Sequence, residues 1–262
     1  MLKLIVDGHE RSYLLDVPKQ LKPGAGLVLV CHGFGGSAGD MRSWAGFSKI
    51  LDSHNVVFAY LDGLPDAKGK RNFQVEYQFQ DPKINDVKFA QQLIAHLVKQ
   101  YTLDPKRVFS TGMSNGADFS YYLARQKKPF VRAIAPIAGC MMVGWDKTLT
   151  AKNRIPIMEV HGTKDNVTLW DGDLQNRDGW GPYYSTEAVA AHWVKSLSLT
   201  EREEKTSGKH TRTRWWTKRD STEFVLCTID GGGHNWPAHL DNPKRSLAEE
   251  ILGFFEKHNT AN

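Results

Sequence analysis

Short apolar runs alternate along this chain with longer stretches in which apolar residues recur at helical spacing. Residues 2–6 and 11–17 predict two strands joined at Asp7-Gly8, a dipeptide suited to a hairpin turn. The runs 27–31 and 56–60 are apolar throughout, as strands covered on both faces should be, 107–111 predicts a further strand, and 133–136 and 157–161 predict two more of the buried kind. Between them, Asp40 begins a predicted helix to about residue 52, and Val87, Ala90, Ile94, Leu97, Val98 and Tyr101 space a helix over 84–101. Helices are also expected at 115–126, 185–197 and 246–258, and strands at 211–217 and 223–229. Residues 61–80, with Gly63, Pro65 and Gly69, predict a loop, and polar 200–209 a surface connection. Strands of the buried kind alternating with helices imply a mainly parallel sheet, an antiparallel hairpin at its start and helices on both faces. No repeat or composition break divides the chain, so residues 1–262 read as one domain.

With 262 residues, 40% of them hydrophobic and 11% aromatic, the chain is long enough for a core that needs neither metal nor disulfide. Its 34 Lys and Arg against 29 Asp and Glu give a formal charge of +5. The basic residues are scattered: Arg125–Lys128 falls where a helix should end, and Arg212-Thr213-Arg214 alternates as a strand would. Nucleic-acid binding is therefore not expected, and no apolar window is long enough to span a bilayer. Cys31, Cys140 and Cys227 are far apart in apolar surroundings, which suits buried free thiols rather than a disulfide framework or a zinc site. Together with the missing apolar leader they favour the cytoplasm, secretion after processing being the alternative.

The candidate chemistry centres on Gly112-Met113-Ser114-Asn115-Gly116, set between a predicted strand and a predicted helix. A strand-to-helix turn this tight leaves no room for a Cβ beside the serine, and it lifts the hydroxyl above the sheet. A serine hydroxyl needs a base to become a nucleophile, and the base needs an orienting carboxylate. In the chain order Ser, Asp, His, the candidates are Ser114, Asp165 in the loop after strand 157–161, and His234 in the glycine-rich loop after strand 223–229. All three follow C-terminal strand ends, the rim where open α/β sheets bind ligands. The backbone N–H groups of Asn115 and Phe34 are the candidate oxyanion hole. Asp171 or Asp173 would replace Asp165 if the latter only caps a turn, and His32 and His161 read as structural hydrogen-bonders in their loops.

There is no HExxH, no third ligand for His234 and His239, and no nucleotide-binding glycine motif, so neither metal nor cofactor is expected. Trp145, Trp170, Trp180, Tyr183, Tyr184 and Trp236 fall in loops near the rim. Of these, Trp170, Trp180, Tyr183 and Trp236 are the candidate substrate contacts. Arg71, Tyr77 and Gln80 belong to the 61–80 loop, and no motif assigns them a role.

Longer matches add a family. The segments ERSYLLDVP at 10–18, LVCHGFGGS at 29–37, DPKRVFSTGMSNG at 104–116, HGTKD at 161–165 and TIDGGGHNWP at 228–237 span nearly the whole chain. They resemble the polyhydroxybutyrate depolymerase and feruloyl or acetylxylan esterase group of α/β-hydrolases. The resemblance implies the α/β-hydrolase fold and cofactor-free ester hydrolysis by Ser114, Asp165 and His234, with Trp236 as a wall beside the histidine. It implies an ester substrate, hydroxycinnamoyl or acetyl groups on plant polysaccharide, with a hydroxybutyrate oligomer as the other candidate. A catalytically silent carbohydrate-binding relative and an acyltransferase are the alternative classes. Cysteines expected in many secreted relatives are absent near Ala124-Arg125, Ser196–Ser198 and Lys218–Asp220. Residues 166–184 are longer and more aromatic than the family pattern.

Overall fold

A computed structural model describes residues 1–150 and 154–259. Among the described residues twelve strands form: β1 (Leu2–Val6), β2 (His9–Asp16), β3 (Gly26–Cys31), β4 (Val56–Leu61), β5 (Leu64–Pro65), β6 (Arg71–Asn72), β7 (Val108–Met113), β8 (Ala133–Ile137), β9 (Ile157–Gly162), β10 (Glu201–Ser207), β11 (His210–Trp216) and β12 (Glu223–Ile229). The helices are α1 (Ala38–Trp44), α2 (Phe47–Ile50), α3 (Asp86–Tyr101), α4 (Asn115–Ala124), α5 (Thr186–Leu197) and α6 (Leu247–Lys257). Ten strands make one sheet in the order β1-β2-β4-β3-β7-β8-β9-β12-β11-β10. Its six central strands, from β4 to β12, run parallel, and an antiparallel hairpin closes each margin.

The central strands are predominantly apolar on both faces because both are covered. In β3, Leu27, Leu29 and Cys31 pack beneath α3, α4 and α5, whereas Val28 and Val30 pack beneath α1, α2 and α6. Asp7 and Gly8 at the β1–β2 turn both have positive φ, 50° and 79°, the backbone a two-residue hairpin turn requires. Cys31, Cys140 and Cys227 are buried and free, as expected.

Three expectations change. The helix expected to start at Asp40 begins at Ala38 and is capped by Ser37, whose Oγ accepts from Asp40 N–H at 3.2 Å. It breaks after Trp44, where Gly46 at φ +88° admits a second short helix. The 61–80 loop contains the small β5–β6 hairpin. The segment read as a surface connection, 200–209, is strand β10, paired residue for residue with β11 from Glu201↔Trp216 to Ser207↔His210. It is a margin strand carrying Glu, Arg and Lys, so burial leaves little apolar alternation for the sequence to display.

Candidate active site

Ser114 joins β7 to α4. Serine in the position before a helix ordinarily spends its hydroxyl on the helix N-terminus, as Ser37, Ser185 and Ser246 do. Ser114 instead has φ 55° and ψ −126°, and its side chain makes no capping bond. The turn is fixed from both sides. A Cβ on Gly112 would lie 2.6 Å from the Cys31 carbonyl oxygen, and one on Gly116 would lie 2.3 Å from the same atom. These glycines let β3 and α4 close on the elbow, and Ser114 N–H anchors it by donating to the Ile137 carbonyl at 2.9 Å.

The loop after β3 lies against the nucleophile: a Cβ built on Gly33 would sit 3.3 Å from Ser114 Cβ and 3.9 Å from its Oγ. Gly35 N–H donates to the Arg71 carbonyl at 2.7 Å, so the β5–β6 hairpin backs this loop. His32 acts as the expected structural bonder. Its Nε2 accepts from Gly63 N–H at 3.0 Å, which leaves Nδ1 to donate to the Gly33 carbonyl at 2.7 Å. The Asn115 side chain is clamped to Phe73, accepting from its N–H at 2.7 Å and donating to its carbonyl at 3.0 Å. Among the described residues no hydrogen bond engages Phe34 N–H or Asn115 N–H, the two expected oxyanion donors.

Asp165 and His234 meet, although 69 positions separate them in the chain. His234 Nδ1 lies 2.8 Å from Asp165 Oδ2, with the carboxylate fully buried and the imidazole slightly exposed. The two loops are locked together upstream: Lys164 N–H donates to the Gly232 carbonyl at 2.8 Å, and Gly231 N–H to Thr163 Oγ1 at 2.8 Å. Asp165 Oδ1 accepts from the Val167 and Thr168 N–H groups at 2.8 and 2.9 Å. Burial alone would raise its pKa, but hydrogen bonds from His161, His234 and Val167 hold it well below the usual carboxylate range. Asp173, a possible substitute, is committed to Arg177 at 3.0 Å. Among the described residues no hydrogen bond joins Ser114 Oγ to His234. Contacts of this kind commonly tighten only once substrate is bound.

Of the four candidate substrate contacts, one is a correction. Tyr183 is 1% exposed and its hydroxyl accepts from Leu169 N–H at 3.2 Å, so packing and a loop bond occupy it. Trp236 is half-buried, with its ring edge-on to Trp44 and Phe47. Trp180 stacks on Tyr77 at 6.0 Å, and Trp170 lies edge-on to His161 at 5.9 Å. Two exposed rings were not anticipated: Phe79 packs against exposed Phe34 at 5.6 Å, and Trp44 lies against Trp236.

Two buried acids also escaped the sequence reading. Glu159 and His161 project from the same side of β9, and Asp118 stands in the first turn of α4. Burial pushes the Asp118 carboxyl up to about 7, while Tyr77, Cys140 N–H and the Cys140 thiol donate to it. The available signal was a charged residue inside an otherwise apolar element.

No family model matches the chain. Feruloyl esterase B of Piromyces equi is 27% identical over 216 residues, covering 80% of this chain and 39% of that protein. The bifunctional acetylxylan esterase/xylanase XynS20E of Neocallimastix patriciarum is 29% identical over 172 residues, covering 64% of this chain and 24% of that protein. The chain thus spans well under half the length of either relative. Among solved structures, acetyl xylan esterase from Aspergillus awamori superposes with a TM-score of 0.67 at 15% identity, over 94% of this chain and 93% of that one. The chain has the α/β-hydrolase fold and resembles the feruloyl esterase, acetylxylan esterase and polyhydroxyalkanoate depolymerase group.

Proposed function

We propose that the protein is a serine carboxylic-ester hydrolase acting on hydroxycinnamoyl or acetyl esters of plant polysaccharide. The observation that carries this reading is the buried Asp165–His234 hydrogen bond at the sheet edge that also presents the strained, uncapped Ser114. In the reaction, Ser114 Oγ bonds to the ester carbonyl carbon as its proton passes to His234 Nε2. Asp165 fixes the ring with Nδ1 protonated and stabilises the imidazolium that forms. The oxyanion accepts hydrogen bonds from Asn115 N–H and Phe34 N–H. Collapse of this intermediate breaks the ester C–O bond, and the alcohol leaves with the proton from His234. Water, deprotonated by the same ring, then releases the acid from the acyl-enzyme.

The exposed rings at Phe34, Phe79 and Trp44, with half-buried Trp236 beside Trp44, support an aromatic acyl group or a sugar face as the bound moiety. Ser114→Ala should lower turnover of methyl ferulate or acetylated xylan about 10⁴- to 10⁶-fold while leaving the thermal midpoint unchanged. A folded variant that keeps its turnover removes the nucleophile from this account. A panel of methyl ferulate, acetylated xylan and hydroxybutyrate oligomers decides the acyl group.

A further inference from the structure

Behind Asp165 lies a second histidine with no part in the mechanism above. His161 is fully buried, and its ring is flanked by acceptors on both sides. Nε2 is 2.9 Å from the Thr168 carbonyl and 3.4 Å from Asp165 Oδ2, the oxygen that also meets His234. A carbonyl can only accept, so Nε2 carries a proton. Nδ1 is 3.1 Å from Glu159 Oε1, and the other carboxyl oxygen of Glu159 already accepts from Tyr121. The result is a continuous buried chain, Tyr121–Glu159–His161–Asp165–His234, that crosses from α4 to the rim.

We propose that His161 is a positioning residue for this reaction: as a buried imidazolium shared by Glu159 and Asp165, it aims Asp165 at His234 and moderates the pull of that carboxylate on the catalytic ring. The inference rests on the ester-hydrolase reading. Asp165 Oδ2 faces two imidazoles, His161 and His234, and a fixed positive charge on the former opposes protonation of the latter. The base therefore stays free to accept the serine proton at lower pH than an unaccompanied aspartate would allow.

The groups around His161 agree with a charged ring. Glu159 faces it from β9, Asp165 and the Thr168 carbonyl from the following loop, and Tyr121 with Asp118 beyond it from α4. The Cys140 thiol lies near the acids, and the edge of Trp170 closes the remaining side. Burial disfavours the charge, but hydrogen bonds to Asp165 and Glu159 outweigh it and push the ring up to about 10. The Glu159 carboxyl is itself raised by burial, which His161 and Tyr121 partly offset.

His161→Gln keeps a donor of similar length and removes the charge. The acid limb of its kcat/KM profile on methyl ferulate should move up by about one pH unit, with kcat/KM near neutrality reduced about tenfold. A residue that serves only packing would lower stability or rate and leave that limb in place. A folded His161→Gln enzyme with an unmoved limb overturns the proposal. Ring-nitrogen NMR of the wild-type protein at pH 8 supplies a measurement that needs no variant. Both His161 nitrogens should be protonated, and a neutral ring overturns the proposal. Absence of ester turnover in the wild type would reject the hydrolase reading instead, and the NMR result would still decide the charge state.

Discussion

Gly116 shows what one hydrogen atom in place of a methyl group does at this elbow. A Cβ there meets backbone oxygens of Cys31 and His32 at 2.3 and 2.6 Å, and neither can rotate away as a side chain would. Gly116→Ala should therefore cost about 3 kcal/mol in urea unfolding, or prevent folding. Gly233, beside the candidate base, has open space around the Cβ position and no positive φ. Gly233→Ala should stay within about 0.5 kcal/mol of wild type in the same measurement. The elbow was legible because its steric demand is local and leaves Gly-x-Ser-x-Gly in the sequence. The role of Tyr183 was not: that ring sits among loop aromatics that sequence alone cannot sort into packed and exposed.

Strand β12 opens with Glu223, which ties three elements together. Oε1 accepts from Lys257 at 2.5 Å and His258 at 2.8 Å at the end of α6, and Oε2 accepts from Arg214 on β11. Burial would raise its pKa, but the hydrogen bonds of His258, Lys257 and Arg214 lower it to about 2. A carboxylate depressed in the folded state contributes stability above its unfolded value near 4.5, and that contribution is lost as pH falls through about 2. Glu223→Gln should thus cost about 3 kcal/mol at pH 7, with the gap to wild type narrowing between about pH 4.5 and 2 in urea titrations. Such long-range clamps leave no periodic mark, and neither did β10, whose charges hide its pairing. The central strands, buried on two faces, and α3, with its apolar stripe, carry their burial in the sequence and were read correctly.

The sheet as a whole is a parallel centre with antiparallel margins, and its outermost strand toward the C-terminal half is β10, EREEKTS. Charged side chains along an open edge oppose pairing with another molecule. Replacing Glu203 and Lys205 together by valine should produce concentration-dependent self-association in sedimentation velocity, while the hairpin partner β11 stays paired. A monomeric double variant would show that the charges do not guard this margin. Across the same sheet the candidate machinery falls into two assemblies. Ser114 and the Gly33 loop are built onto β3 and β7, whereas Asp165 and His234 are built onto β9 and β12, with β8 lying between them. The spacing between the two assemblies is therefore set through β8, whose Ile137 carbonyl accepts from Ser114 N–H at 2.9 Å and beyond whose end Ala138 N–H donates to the Val160 carbonyl of β9 at 2.8 Å. Substitutions that widen or narrow the packing of β8 would change the reach from nucleophile to base, and with it the rate, without touching a reacting side chain.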